Sequence, residues 1–203
     1  MRHAFRFPLN VREAVRAHVR AAVEGVNPGR FEQEPAFTAA LLGRLAGMVY
    51  EGPDGSVVFE TTNVNSGGPG AAERWSGADL AITAKIRQGS LAVDKAILAQ
   101  AKRGSSDDLS PSERDRLVEQ IRRMRRITRS PKVVLFPEFD GRRWPEVLSG
   151  VRLMDDLPTV PVSLPDYFVR RVLTTLDGDT RPQFVNGVQQ SSLRQLRVIA
   201  ELG

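Results

Sequence analysis

Three side chains in the middle of the chain, those of Asp79, Gln100 and Lys102, could act together on a phosphate ester. Gln100, Ala101 and Lys102 close a run, Leu91 to Lys102, that reads as extended chain. Side chains alternate across a strand, so Gln100 and Lys102 share one face. Ala99 and Ala101 take the other face, where small side chains let a helix pack closely. Asp79 stands at the mouth of the preceding run, directly after Gly77-Ala78, and Leu80, Ile82, Ala84 and Ile86 alternate behind it. Arg87-Gln88-Gly89-Ser90 separates the two runs as a turn, which predicts a hairpin or two neighbouring strands. In a hairpin the start of one strand lies beside the end of the other, and Asp79 meets Gln100 and Lys102.

One carboxylate, one amide and one ammonium on a single edge suit phosphodiester hydrolysis. That reaction needs a nucleophilic water, neutralised charge on the phosphoryl oxygens and in-line geometry. Mg²⁺ supplies the first two, and it prefers one or two carboxylates together with waters and substrate oxygens. Asp79 is the anchoring ligand in this reading. Gln100 offers its side-chain carbonyl and Ala101 its main-chain carbonyl. Lys102 orients the water, helps deprotonate it, or stabilises the developing charge. The plainer alternative is a turn that opens a strand, followed by the solvated face of an edge strand.

The elements expected around these residues form an α/β protein, a mixed sheet flanked by helices. Val11, Val15, Val19 and Val23 lie four apart in a helix ended by Asn27-Pro28-Gly29. A second helix runs from Pro35 to Leu45, with Phe37, Leu41, Leu42 and Leu45 as its apolar stripe. Asp54-Gly55 reads as a turn and Val57 to Thr62 as a strand. Asn63 to Gly70 is a glycine-rich loop without the Gly-Lys-Ser/Thr that would make it a phosphate cradle. Ser110-Pro111-Ser112-Glu113 opens a helix to about Ile127, and Val133 to Phe136 is a buried strand. Helices are expected at Asp166 to Leu176 and at Ser191 to Leu202. Asp107-Asp108 and Asp155-Asp156 read as cap or turn residues, Trp75 and Trp144 as core or rim residues, and His18 as a rim residue of its helix.

Gly77-Ala78-Asp79-Leu80, a hairpin, and Ile97-Leu98-Ala99-Gln100-Ala101-Lys102 together resemble the PD-(D/E)XK nuclease superfamily. They are most similar to the branch with Gln in the (D/E) position, which includes restriction-type nucleases and the DNA-degrading domains of bacterial anti-phage effectors. Those domains also carry an early helix with a glutamate just ahead of a Phe-Thr pair, which here reads Glu34-Pro35-Ala36-Phe37-Thr38. The resemblance implies Glu34 as a further metal ligand, with Glu32 in reserve. The implied catalytic set is Glu34, Asp79, Gln100 and Lys102, with Glu34, Asp79, Gln100 and Ala101 around Mg²⁺ or Mn²⁺. The likeness runs from Glu34 to Phe136, about half of the chain. Gln100 is neutral where many members carry a carboxylate, and Ala78 stands where many carry proline. Glu73 is a further carboxylate just ahead of the motif. A restriction-endonuclease-like sheet, double-stranded DNA as substrate and a role in prokaryotic defence follow from the resemblance, as does action as a homodimer or under a sensor protein.

Composition narrows the alternatives. The 203 residues suit one domain, 1–203, with a motif-bearing core at about 31–137 and a helical extension at 138–203. There is no cysteine, which excludes disulfides, thiolate metal sites and a cysteine nucleophile. The two histidines, His3 and His18, both lie near the N-terminus, which disfavours chemistry built on a central histidine. A net charge of +5 and a pI of about 10.2 favour an anionic partner, nucleic acid first. No apolar run has signal-peptide or membrane-span length, so a cytoplasmic location is expected. A nucleic-acid-binding module that cuts nothing, or an interaction subunit on the same fold, is the alternative to a nuclease.

Overall fold

The computed structural model describes residues 5–26, 34–62, 76–105, 109–136, 144–174 and 176–203. Helix α1, Leu9–Glu24, buries Val11, Val15, Val19 and Val23, the four-residue stripe of its sequence. Helix α2, Glu34–Leu45, buries Phe37, Leu41, Leu42 and Leu45. Strands β1, Gly47–Gly52, and β2, Gly55–Thr62, then form a hairpin whose two-residue loop is Pro53-Asp54. β1 carries no strand signal in the sequence, because its residues are half-buried or exposed and show no apolar alternation.

The central hairpin forms as expected. Strands β3, Leu80–Gln88, and β4, Leu91–Arg103, pair antiparallel from Leu80↔Ala99 to Gln88↔Leu91. β4 runs unbroken through Asp94-Lys95, where the sequence allowed a break. Helix α3, Pro111–Ile127, starts on the anticipated signal: the Ser110 side chain and the Glu113 side chain cap one another's backbone N–H groups. It crosses over to β5, Lys132–Phe136, which lies parallel to β4.

Beyond β5 come β6, Glu146–Ser149, the short helix α4, Gly150–Met154, and β7, Val162–Ser163. Helix α5, Leu164–Tyr167, continues as a π-helical turn over Phe168–Val172, closed by the Leu173 N–H donating to the Phe168 carbonyl. The helix expected at Asp166 to Leu176 is thus shifted toward the N-terminus. Helix α6, Pro182–Gln189, was not anticipated, and β8 is Arg194–Leu202. The sheet has eight strands in the order β1-β2-β8-β3-β4-β5-β6-β7. β8 is antiparallel to β2 and parallel to β3, so the sheet is mixed.

The terminal segment corrects the sequence reading. Ser191 to Leu202 was expected to be helical, and its ordered core is a strand deep in the sheet. Leu196, Val198, Ala200 and Leu202 are buried, with the period of two that a strand requires. A short apolar run fits helix and strand periodicity about equally, and what decides is the open edges of β2 and β3. The extension expected over 138–203 is therefore not simply helical, since its described residues, 144–174 and 176–203, supply β6, β7 and β8.

Helices α1, α2 and α5 cover one face of the sheet, over Ile82, Ile97, Ala99, Ala101 and Val134. Helices α3 and α6 cover the other, over Ala81, Leu98, Val133 and Leu135. Ala99 and Ala101 thus face helices, as their size suggested. No helix among the described residues is long and apolar enough to cross a membrane.

Leu196 is 0% exposed at the centre of β8. Leu196→Ala is expected to cost about 2–5 kcal/mol. Urea denaturation followed by circular dichroism measures it, and a loss below about 0.5 kcal/mol, the range of surface substitutions, would contradict this placement of β8.

Candidate functional site

The turn before β3 sets the position of Asp79. Ser76 Oγ accepts a hydrogen bond from the Ala78 N–H at 3.1 Å, and Ala78 packs beneath α3. Gly77 has φ +72°, and a Cβ there would lie 2.3 Å from the Gln120 carbonyl oxygen of α3. Glycine is required on both counts, backbone conformation and close approach. The Asp79 N–H then donates to the Ala99 carbonyl at 3.0 Å, which extends the ladder one residue beyond β3.

β4 is longer than β3 and runs past this point. Ala101 turns its N–H and C=O toward the space beyond the end of β3, and Asp79 fills that space. Its Oδ2 accepts from the Ala101 N–H at 3.0 Å and from the Gln100 side-chain amide. The same Gln100 Nε2 donates to the Ala101 carbonyl at 3.2 Å. Gln100 is 1% exposed, and its Oε1 has no hydrogen-bond partner among the described residues. Of the expected meeting of Asp79 with Gln100 and Lys102, the contact with Gln100 is present, and the Ala101 N–H joins it.

Lys102 is half-buried and lies on the Gln100 face of β4 by strand alternation. Glu113, at the start of α3, has its carboxyl held below the usual range by hydrogen bonds from the Ser110 side chain and backbone, and further by the charges of Lys102 and Arg116. The start of α3 and Lys102 thus share one electrostatic neighbourhood. The exposed side chains of Arg116, Arg122, Arg125 and Arg126 continue the positive charge along α3.

Glu34 is the first residue of α2, and its side chain lies outside the described residues, as do Glu32, Glu73, Trp75 and Asp107-Asp108. The first turn of α2 lies at the sheet end that carries Lys102. Phe37 packs edge-on against Phe136, ring centroids 4.6 Å apart, and Phe136 pairs with Arg103. Among the described residues no group of three or more His, Cys, Asp or Glu could hold a metal ion.

Other residues take structural places. His18 Nε2 lies 2.8 Å from the Leu45 carbonyl oxygen, and its ring stands edge-on to Phe59. Trp144 packs against the core with the Arg20 guanidinium over its ring. Asp156 turns the chain at φ +52° and pairs with Arg114.

The sequence reading missed a buried polar cluster on the opposite face. Lys95 of β4 is 1% exposed, and its Nζ donates to the main-chain carbonyls of Asp177 at 2.7 Å and Arg171 at 3.2 Å. The Asp177 carboxylate accepts from Lys132 Nζ at 3.0 Å. Burial lowers the Lys95 ammonium to about 7, against the opposing pull of Asp177. No spacing in the sequence marks Lys95, because a lysine on a strand ordinarily faces solvent.

Compared with family models, curated proteins and solved structures, the chain matches none.

Two outcomes follow from this geometry. Gly77→Ala is expected to destabilise the fold by about 2 kcal/mol or more, from positive φ and the Gln120 contact, and a thermal melt measures it. Lys95 binds fewer protons in the folded than in the unfolded state between about pH 7 and 10.5, so its contribution to stability rises with pH across that window. Wild-type protein should therefore gain about 1–3 kcal/mol on Lys95→Met between pH 7 and 9.5. Denaturation at both pH values tests this, and a constant difference would refute it.

Proposed function

We propose that the chain is a metal-dependent nuclease with a restriction-endonuclease-like fold, cutting double-stranded DNA where β4 runs past the start of β3. The observation that carries this reading is the β3–β4 register, which sets the Asp79 carboxylate against Gln100 and Ala101. The β4–α3–β5 crossover supports it too, because it puts an arginine-bearing helix next to that edge.

Asp79, the Gln100 side-chain oxygen and the Ala101 carbonyl would hold Mg²⁺ or Mn²⁺, with Glu34 as the carboxylate that the resemblance adds. The donors are hard oxygens, as such ions require. Asp79 Oδ2 and the Ala101 carbonyl converge on one donor, the Gln100 amide, and the Gln100 oxygen is buried without a partner among the described residues. When bound, the ion supplies an activated water and offsets phosphoryl charge. Lys102 holds the attacking water and stabilises the charge that develops on the phosphoryl oxygens. Asp79 and the Ala101 N–H keep the strand end rigid. Arg116, Arg122, Arg125 and Arg126 contact DNA phosphates, which position a duplex without reading its sequence. A cytoplasmic location goes with this reading, as do a role in prokaryotic defence and action as a homodimer or under a sensor protein, and the last two rest on the resemblance.

A second reading, a DNA-binding module that does not cut, draws on the direct Gln100–Asp79 hydrogen bond, which engages the carboxylate that would hold the ion. The test is incubation of linear and supercoiled double-stranded DNA with the purified chain, in Mg²⁺ or EDTA, beside Lys102→Ala. Cleavage is expected in Mg²⁺, none in EDTA, and a rate at least about 100-fold lower in Lys102→Ala. Salt-sensitive binding without cleavage would favour the second reading. Cutting that survives both Asp79→Ala and Lys102→Ala would refute this site.

A further inference from the structure

A cavity of about 450 Å³ opens on the sheet face opposite Gln100 and Lys102, at the β5–β6 end. Its cations are Lys132, Arg152 and Arg171, against the single carboxylate of Asp177. Lys132 is 7% exposed and committed to Asp177, whereas Arg152 and Arg171 are exposed at the mouth, Arg152 with its Nε donating to the Pro158 carbonyl at 2.7 Å and its terminal nitrogens left for a ligand. Val147, Val160 and Val162 give the cavity an apolar wall. Tyr167 lines the cavity too. It is 2% exposed, and its hydroxyl has no hydrogen-bond partner among the described residues.

A buried hydroxyl without a partner costs free energy comparable to a lost hydrogen bond unless something else meets it. Folding alone gives no reason to keep it, since phenylalanine would fill the same space. Guanidinium groups at the mouth match the oxygens of a phosphate, to which they can donate two parallel hydrogen bonds. The Asp177 carboxylate, deeper and already paired, repels a second anion but accepts from a sugar hydroxyl or an amine. The apolar wall needs a ligand with a body, and the volume suits one of mononucleotide size.

We propose that this cavity binds a small phosphorylated organic anion of nucleoside-monophosphate size, with its phosphate on Arg152 and Arg171 and a polar group of its body on the Tyr167 hydroxyl. The site is separate from the β3–β4 edge and does not rest on the nuclease reading. Arg171 also holds Lys95, but through its main-chain carbonyl, which side-chain truncation leaves in place.

The test is calorimetric titration of the full chain with AMP, adenosine and inorganic phosphate. AMP is expected to bind saturably and more tightly than either fragment. Tyr167→Phe should weaken it about 5-fold and Arg171→Ala about 10-fold or more, with melting temperatures near that of the wild type. Should Arg171→Ala misfold, Arg152→Ala serves in its place. Lys102→Ala should bind AMP as the wild type does, which separates this site from the one on β4. No saturable binding of AMP would overturn the proposal. So would affinity unchanged in Tyr167→Phe and the arginine variants, affinity lost in Lys102→Ala, or inorganic phosphate binding as tightly as AMP.

Discussion

The parallel ladder between β3 and β8 joins the middle of the chain to its last residues, from Leu80↔Arg194 to Gln88↔Leu202. On its other edge β8 pairs with β2 over the whole length of that strand. Without β8 the sheet would separate into the β1–β2 hairpin and the block from β3 to β7, each with a long unpaired edge of N–H and C=O groups. The fit is close: a Cβ at Gly55 would lie 2.0 Å from the Glu201 carbonyl oxygen. With β8 in place, β3 is bonded on both edges and packed on both faces. Its start, where Asp79 stands, inherits that rigidity.

The candidate site comes from a mismatch of strand lengths. β4 continues where β3 has ended, so a main-chain N–H and C=O that a longer β3 would have paired are left for side chains to meet. Asp79 and Gln100 meet them, and the result is a compact set of oxygens on a strand end rather than on a loop. Sites on strands hold their geometry more closely than sites on loops. The Gly77 turn under α3 completes the support, and it ties the position of the carboxylate to the packing of a helix that also carries the basic face.

The opposite face holds a different kind of polar core. Lys95, Asp177 and Lys132 form a chain of hydrogen bonds that ties the segment after the π-helical turn to β4 and β5. Burying such charges costs stability even when they are paired, and their usual benefit is to specify one arrangement over others. Here they fix the path from α5 to α6 beside a cavity that Tyr167 also lines. The two polar clusters use opposite faces of one strand, β4, with Lys95 facing one side and Gln100 the other.

Local signals made much of this legible in the sequence. The valine stripe of α1, the capping box of α3, the alternation of β3 and the two-residue spacing of Gln100 and Lys102 each depend only on neighbours along the chain. The hairpin between them was legible too, because its turn is local, and with it the meeting of Asp79 and Gln100. The place of β8 was not, since a parallel strand needs no turn beside it and its short apolar run fits a helix as well. Burial of Lys95 was equally hidden. Whether a lysine on a strand faces water or the carbonyls of Arg171 and Asp177 depends on segments far along the chain, and only the tertiary structure brings those together.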